Sequence, residues 1–555
     1  MPLSKVVRNL GRSQEILSVL FRHGFGDLLQ RMGLSQFLKL TWPGHREGEP
    51  EPHELKTPAQ RFRQAMEELG GAFVKLGQLM STRPDILPKN WIEELSHLQD
   101  NVTPLDFDQL RNTLESDLRP LADKFEFIDP LPLASGSVAQ AHKSFTRDGD
   151  DVVVKIRRPG VKKTLLQDCD ILQALAELLE RHVPEALNYR PVQVVEEFRA
   201  ALTRELDFTL EGHNLDRFRS NFEPYPNIVF PRPFWGHTTE RVLTMERIEG
   251  TKISLISGLH YGPENAHRIA ETLAEAILRQ ILEFGFFHGD PHPGNIMLIE
   301  ENKICFLDCG LVGQLDERMR ENLIMLVSAG IRKEVDVVAD ILIQMNALPE
   351  DMNRAQFRKE ADLFIDRYYR LPLKQIRISS IVEEVMHLIN KFRIQVPSDL
   401  LLVGKALITL EGVGRSLDPD FDAVEVAEPF VRELVVTNYG PKFLRRRILE
   451  GSRDILRLIR DLPGDLRELA RTLRENQFRI ILDHRGPKES FRELDRASRR
   501  ISMSIVIAAV ILASAMIITS SGEPRFMGIP IIGLGGFGVA AALWLWLVFD
   551  TTWRR

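Results

Sequence analysis

Phe287-His-Gly-Asp290-Pro-His-Pro-Gly-Asn295-Ile-Met-Leu-Ile299 places an aspartate and an asparagine five residues apart in a loop rich in proline and glycine. Apolar residues follow Asn295, then the turn Glu300-Glu-Asn-Lys303, then Ile304-Cys-Phe-Leu307 and the acidic turn Asp308-Cys-Gly310. The order is loop, strand, turn, strand, acidic loop. Asn295 and Asp308 therefore stand at the two ends of one hairpin. Their side chains offer hard oxygens, the ligand type that magnesium takes. A rival reading takes His288, Asp290, His292 and Asp308 as ligands of a transition metal in a hydrolase. Two histidines four apart share a metal on a helix, and Pro291 and Pro293 prevent a helix between these two.

Upstream, residues 127–157 read as strand, turn, strand, loop, strand. Pro132-Leu-Ala-Ser-Gly-Ser-Val-Ala-Gln-Ala-His142 is a run of small residues that lets backbone N–H groups approach a phosphate closely. Ala134, Ser135, Gly136, Ser137 and Val138 are its candidate contacts. Asp151-Val-Val-Val-Lys155-Ile is a β-branched strand with one lysine inside it, like the phosphate-pairing lysine of kinases. A long helix is expected over about Pro191 to Phe218, with Asp207, Glu211 and Asn214 at i, i+4 and i+7 on one face. A lysine withdrawn from water needs a partner, and Glu211 is the one this face offers Lys155. Arg241-Val-Leu-Thr-Met-Glu246 looks like the strand and connection on which a kinase binds adenine, which puts Met245 and Glu246 at the base. Lysine strand, acidic helix, Asp/Asn loop and acidic turn follow the order of the kinase catalytic machinery.

The N-terminal part is helical in pattern. Leu17, Leu20, Phe21, Phe25, Leu28, Leu29 and Met32 recur at helical spacing within residues 13–40. They read as a helix docked on its own protein, with a membrane-surface helix as the alternative. Residues 43–54, rich in Pro, Gly and Glu, read as a linker. Thr57-Pro58 is a helix start, an N-cap hydroxyl followed by proline in the first turn. Phe62, Met66, Leu69, Phe73, Leu76 and Met80 then form one narrow apolar arc, with Lys75 and Gln78 on the far side.

The chain has 555 residues, 44% of them apolar and 27% charged, which excludes global disorder. Its net charge of −6 does not suggest nucleic acid as a partner. Three cysteines, Cys169, Cys305 and Cys309, make no disulfide framework and fit a reducing compartment. A mean hydropathy of −0.14 excludes a polytopic transporter. From Pro441 to Arg500 there are 17 Lys and Arg against 10 Asp and Glu. This basic block stands before the one strongly apolar region. Ile501–Thr519 and Phe526–Phe549 hold 19 and 24 residues without a charge, about the length that crosses a bilayer. Two antiparallel transmembrane helices are expected over 501–549. Arg496, Arg499 and Arg500 before them and Arg554 and Arg555 after them place both ends on the cytoplasmic side. No signal peptide is expected, because the apolar run Ile16–Phe21 is short and interrupted by Ser18. Gly533-Leu-Gly535-Gly536-Phe-Gly538 matches a dinucleotide fingerprint by letter, but its setting is an apolar span, where glycines serve helix packing.

Together these residues resemble the UbiB family of atypical protein-kinase-like ATPases, from about residue 57 to the apolar end. The marks are Lys75-x-Gly-Gln78, the small-residue loop at 134–140, Glu205-x-Asp207, His288-x-Asp-Pro-x-x-x-Asn295 and Leu401-Leu-Val-Gly-Lys-Ala-Leu-Ile-Thr-Leu-Glu-Gly412. The resemblance implies an α+β, two-lobed protein-kinase-like fold with a helical N-terminal extension (1–120), an N-lobe (121–250) and a C-lobe (251–430). A basic helical juxtamembrane region (431–500) and a C-terminal two-helix transmembrane hairpin (501–549) would complete it. It implies that Lys155 contacts the phosphates of ATP with Glu211 as its partner, that Asp290 is the catalytic-loop acid, and that Asn295 and Asp308 hold Mg2+. Lys75 and Gln78 would lie on a helix folded over the active site, near Glu205 and Asp207, in space where a protein substrate would dock. ATP hydrolysis coupled to lipids or partner proteins follows more naturally than phosphorylation of other proteins. The expected setting is ubiquinone biosynthesis at the bacterial inner membrane, with anionic lipid headgroups and polyprenyl quinone precursors or quinone-biosynthesis proteins as partners. A nucleotide-responsive scaffold with negligible turnover is the alternative. Two departures stand out. The family's loop is alanine-rich where this one has Ser135-Gly136-Ser137, and Cys309 replaces the Phe of Asp-Phe-Gly. No Ala-Pro-Glu close follows Gly310.

Overall fold

The computed structural model describes residues 10–34, 56–98, 102–256, 262–345, 353–369, 377–427 and short stretches of 503–544, apart from a few single residues within those ranges. The chain divides into two compact units, Met1–Arg446 and Arg447–Arg555.

The first unit opens with α1 (Leu10–Arg22). Two more helices, α2 (Pro58–Leu69) and α3 (Gly71–Met80), carry the apolar arc expected as one helix. Thr57 caps α2 in a reciprocal pair with Gln60, and Pro58 occupies its first turn, as the sequence indicates. The break falls at Gly70-Gly71, where φ is 62° and 46°, a backbone conformation that glycine adopts at little cost. Then come α4 (Lys89–Ser96) and α5 (Phe107–Asp117).

Strands β1 (Phe125–Ser135), β2 (Ala139–Thr146), β3 (Asp151–Arg157) and a later β5 (Val242–Glu246) form an antiparallel sheet in the order β1-β2-β3-β5. Side chains alternate across a strand. Val152, Val154 and Ile156 of β3 therefore share one face, packed on Leu110 and Leu114 of α5 with Phe125 and Val242. Each fully buried aliphatic there contributes roughly 1.5–3 kcal/mol. Lys155 falls on the other face.

Between β3 and β5 run α6 (Val161–His182), α7 (Pro191–Glu205), α8 (Phe208–Phe222) and β4 (Ile228–Val229). The single helix expected over 191–218 is two helices. Asp207 is extended (φ −112°, ψ 100°) and its Oδ1 accepts from Thr209 N, so it caps α8 instead of sharing the face of Glu211. The N-terminal apolar residues Leu17, Leu29, Met32 and Leu34 bury against Leu178, Val183 and Ala186, at and just beyond the end of α6, and Arg12 holds Asp168 in a bidentate pair. The extension is docked on its own protein.

The second sheet has the order β4-β9-β8-β6, with β6 at Thr251–Lys252, β8 at Ile296–Glu300 and β9 at Lys303–Phe306. Gly250 joins the two sheets where a methyl group would run into the Leu298 carbonyl oxygen. Helix α9 (Pro263–Leu278) continues into one π turn, Arg279–Glu283. A small ribbon pairs β7 (Phe286–His288) with β10 (Val312–Gln314). Among the described residues five helices follow: α10 (Glu317–Arg332), α11 (Val335–Gln344), α12 (Arg354–Tyr369), α13 (Ile378–Phe392) and α14 (Ser398–Leu417). Phe218 stacks on Phe230 at 4.8 Å and Phe230 on Phe306 at 5.3 Å, which fixes α8 against β9.

In the second unit, residues 506–516 and 538–544 are helical, and Arg525–Phe526 pairs with Ile529–Pro530. Among the described residues no helix is long and apolar enough to cross a membrane. The expected hairpin is thus not confirmed: its spans extend into residues outside the described ones. The basic region 431–500 also lies outside them.

Candidate active site

Lys155 Nζ stands 2.9 Å from both carboxylate oxygens of Glu211 and 3.4 Å from Oδ2 of Asp308. β3 presents the lysine, α8 the glutamate and the end of β9 the aspartate. The Phe208 ring lies 5.4 Å from the ammonium. Burial works against the charged lysine, but Asp308 and Glu211 outweigh it and hold the ammonium protonated well above its usual range. Burial raises the carboxyl of Glu211 to about 7 against the opposing pull of Lys155. Asp308 goes the other way: the charge of Lys155, aided by the Gly310 N–H on Oδ1 at 3.0 Å, lowers it to about 2. Its side chain is 46% exposed, so an ionised carboxylate is offered to the site.

Asn295 joins Asp308 through the backbone. The N–H of Leu307 donates to the Asn295 carbonyl at 2.9 Å, one step beyond the Ile296–Phe306 pair of the β8–β9 ladder. The first and last residues of the expected hairpin therefore lie together at its open end. Asn214, one turn beyond Glu211 on α8, donates to the Cys309 carbonyl at 2.9 Å, so one helix holds both the lysine's partner and the acidic turn. Cys309 is fully buried in the main core, and burial raises its thiol far above the ordinary value. It fills a packing position.

Asp290 is held from two sides, and the histidine on one of them is itself held. Its N–H donates to His288 Nδ1 at 3.0 Å, the His288 N–H donates to Gln280 Oε1 at 2.9 Å, and Asp290 Oδ1 lies 3.0 Å from Lys405 Nζ. The π turn after α9 carries Gln280 to this position. π turns commonly mark functional sites. Burial lowers the pKa of His288, so Nδ1 is an acceptor on a neutral ring. His292 Nδ1 in turn accepts from Gly294 N at 3.1 Å. Among the described residues no group of three or more His, Cys, Asp or Glu could hold a metal ion, so the rival hydrolase site does not assemble there.

The small-residue loop is shorter than the sequence suggests. Ala134 and Ser135 end β1, paired with Ala141 and Gln140, and only Gly136, Ser137 and Val138 form the turn. The turn is braced by Arg158, whose guanidinium donates to the Gly136 carbonyl at 2.8 Å and to Ser135 Oγ at 2.7 Å. Gly136 is not among the residues with positive φ. At the end of β5, Met245 pairs with Val153 and Glu246 with Val152, and Glu246 Oε2 accepts from Arg232 N at 3.2 Å.

Lys75 of α3 pairs with Glu205 at the end of α7, as expected. The charge of Glu205 also acts on Lys155 and Glu211. Gln78 instead donates to the Leu98 carbonyl at 3.2 Å, and Asp207 is committed to capping α8. Neither is brought onto the lysine–carboxylate cluster by these bonds. Lys405, Gln280 and Arg158 are site residues that sequence reasoning did not single out. Lys405 sits within the quoted stretch Leu401–Gly412, whose family likeness was the available signal.

A small β-sheet lobe, a helical lobe and a lysine–glutamate–aspartate cluster at the end of a β-hairpin define a kinase-like protein. Residues 97–342 match the family model of the ABC1 atypical kinase-like domain, 361–422 that of the UbiB helical domain and 485–552 that of the ABC1/UbiB kinase-like C-terminal domain. A "Probable protein kinase UbiB" of Marinobacter nauticus is 33% identical over 476 residues, 84% of this chain and 86% of that protein. An uncharacterized Clostridium pasteurianum protein from the 5′ region of hydrogenase 1 is 30% identical over 97% of this chain and 98% of its own length. A Mycobacterium tuberculosis protein solved as a complex with erythromycin is 22% identical, with a TM-score of 0.47 over 65% of this chain and 93% of that one. The chain belongs to the UbiB family of kinase-like proteins.

Proposed function

We propose that this chain is a membrane-anchored atypical kinase or ATPase that binds Mg2+-ATP and supports biosynthesis of ubiquinone. The observation that carries the reading is the convergence of Lys155, Glu211 and Asp308, with Asn295 at the same hairpin end. The donor chemistry fits the ligand. Asp308 offers an ionised, partly open carboxylate, and Asn295 leaves the same end of the hairpin. A hard divalent cation takes such oxygen ligands. Asn295 and Asp308 would hold it, Lys155 would meet the phosphates, the turn Gly136–Val138 would cover them, and Met245 and Glu246 would flank the base. When bound, the metal neutralises the charge of the phosphates during transfer. Asp290 would act on the attacking hydroxyl or water.

A nucleotide-responsive scaffold is the second reading. It draws on the Lys75–Glu205 pair, which ties the N-terminal extension to the end of α7; on this reading the extension would occupy space where a protein substrate would dock. Cells lacking the protein separate the two. On the enzymatic reading they accumulate quinone precursors, the wild-type chain restores the product and Asp308→Asn does not. Restoration by a variant that binds ATP without turning it over favours the scaffold.

The two C-terminal apolar runs would anchor the chain in the bacterial inner membrane with its larger unit in the cytoplasm. The excess of seven positive charges in 441–500 would draw anionic headgroups. Vesicles with anionic lipid are expected to raise turnover over neutral ones, with the gain shrinking as salt rises. Equal activity on both contradicts this part.

A further inference from the structure

The loop Asp290-Pro-His-Pro-Gly-Asn295 contains no lysine or arginine. A cation nevertheless reaches its carboxylate from α14: Lys405 Nζ is 3.0 Å from Asp290 Oδ1, with the two side chains 29% and 41% exposed. This is not a loose surface pair. Leu401, Val403, Ala406 and Leu410 of the same helix are buried. Asp399 at its start accepts from Gln314 N at 3.1 Å, and Glu411 accepts from Ser379 N at 2.8 Å. The helix is pinned at both ends and carries one ammonium to the loop. Lys75 and Lys155 are committed to Glu205, Glu211 and Asp308, so Lys405 is the lysine that serves Asp290.

We propose that Lys405 is a positioning residue of the phosphoryl-transfer site, fixing Asp290 through Oδ1 so that Oδ2 is turned to the attacking water or hydroxyl. The assignment rests on the Mg2+-ATP reading given above. In the step it serves, the nucleophile's oxygen forms a bond to the γ-phosphorus. The bond from that phosphorus to the β–γ bridging oxygen breaks, and its electron pair leaves on ADP. The nucleophile's proton passes to Asp290 Oδ2 and then to solvent. A carboxylate held at one oxygen presents the other in one orientation, and misplacement of a catalytic group by about 1 Å can cost roughly 100-fold in rate. The helical segment after the kinase-like lobe thereby contributes to the reaction.

The test compares wild type, Lys405→Met, Lys405→Gln and Lys405→Arg as full chains in detergent, measuring Mg2+-ATP affinity, kcat, KM and melting temperature. Lys405→Met is expected to lower kcat on the order of 10–100-fold with the KM for ATP within about twofold of wild type. Lys405→Arg, which keeps the charge, should recover most of the loss. Should the Met variant not fold, Lys405→Gln carries the same comparison. Unchanged kcat in the neutral variants overturns the proposal, as does a raised kcat, which would make the pair a restraint. A raised KM at constant kcat assigns Lys405 to binding and also overturns it. Wild-type binding of Mg2+-ATP without turnover contradicts this assignment and favours the scaffold, while Mg2+-ATP binding at the site still stands. Wild-type failure to bind Mg2+-ATP contradicts the underlying reading, and the assignment with it.

Discussion

Asp308→Asn is expected to abolish Mg2+-dependent ATP turnover, with phosphate release falling on the order of 1,000-fold or below detection. The substitution keeps the shape and one oxygen and removes the charge. That charge has two tasks in the site. It is the ionised member of the Asn295–Asp308 pair, and it is one of the two anions that balance Lys155. A metal offered two neutral amides binds poorly, because hard divalent cations are held chiefly by carboxylates. Loss of one charge-stabilising group in an active site typically costs 100–1,000-fold on its own, and here the metal is lost as well. The carboxyl titrates near 2 because Lys155 stabilises its charged form. Its ionised form is thus fully present above the usual carboxylate range and is lost only as pH falls toward 2. The wild-type rate should therefore show no acid limb from Asp308 above about pH 4. A melting curve close to wild type, read beside phosphate release, separates lost chemistry from lost folding.

The largest stability effect falls on Lys155→Met. The substitution leaves Glu211, 5% exposed, without its counterion. Removing one partner of a buried pair costs about 3–5 kcal/mol, since the remaining charge has no solvent to relax into. Glu211 already titrates near 7 with the lysine present. Without it the carboxyl moves further up, so the folded state binds a proton that the unfolded state releases near 4.3. The variant's stability is then lost progressively as pH rises from about 4 through the raised folded pKa. Its deficit against wild type should be small near pH 5 and large at pH 8, read from melting temperatures across that range. Lys155→Met/Glu211→Leu should recover much of the stability and none of the ATP binding. A single variant as stable as wild type at pH 8 contradicts a buried pair.

The cluster itself was legible because its parts are local. Period-two alternation sets Lys155 apart from Val154 and Ile156, helical spacing puts Asn214 on the face of Glu211, and a short turn forces Asn295 and Asp308 to one end of the hairpin. The misreadings have equally local causes. The spacing of Asp207 fits a continuous helix, yet an aspartate whose side chain accepts the N–H two residues on ends one helix and starts the next. Gly70-Gly71 break an apolar arc that periodicity alone joins. Gln78 lies one turn from Lys75 but turns to a backbone carbonyl, and nothing in its spacing distinguishes the two. Lys405 was out of reach for a different reason. It approaches Asp290 through the packing of α14, and no rule of sequence spacing links residues so far apart.

The central claim is that Asn295, Asp308 and Lys155 grip magnesium on a nucleotide triphosphate. It is tested most directly by titrating ATP onto the full chain across a range of Mg2+ concentrations, with EDTA as the end point. The account predicts binding that tightens as Mg2+ rises and weakens at least tenfold in EDTA. Affinity that is the same with Mg2+ and with EDTA would contradict it.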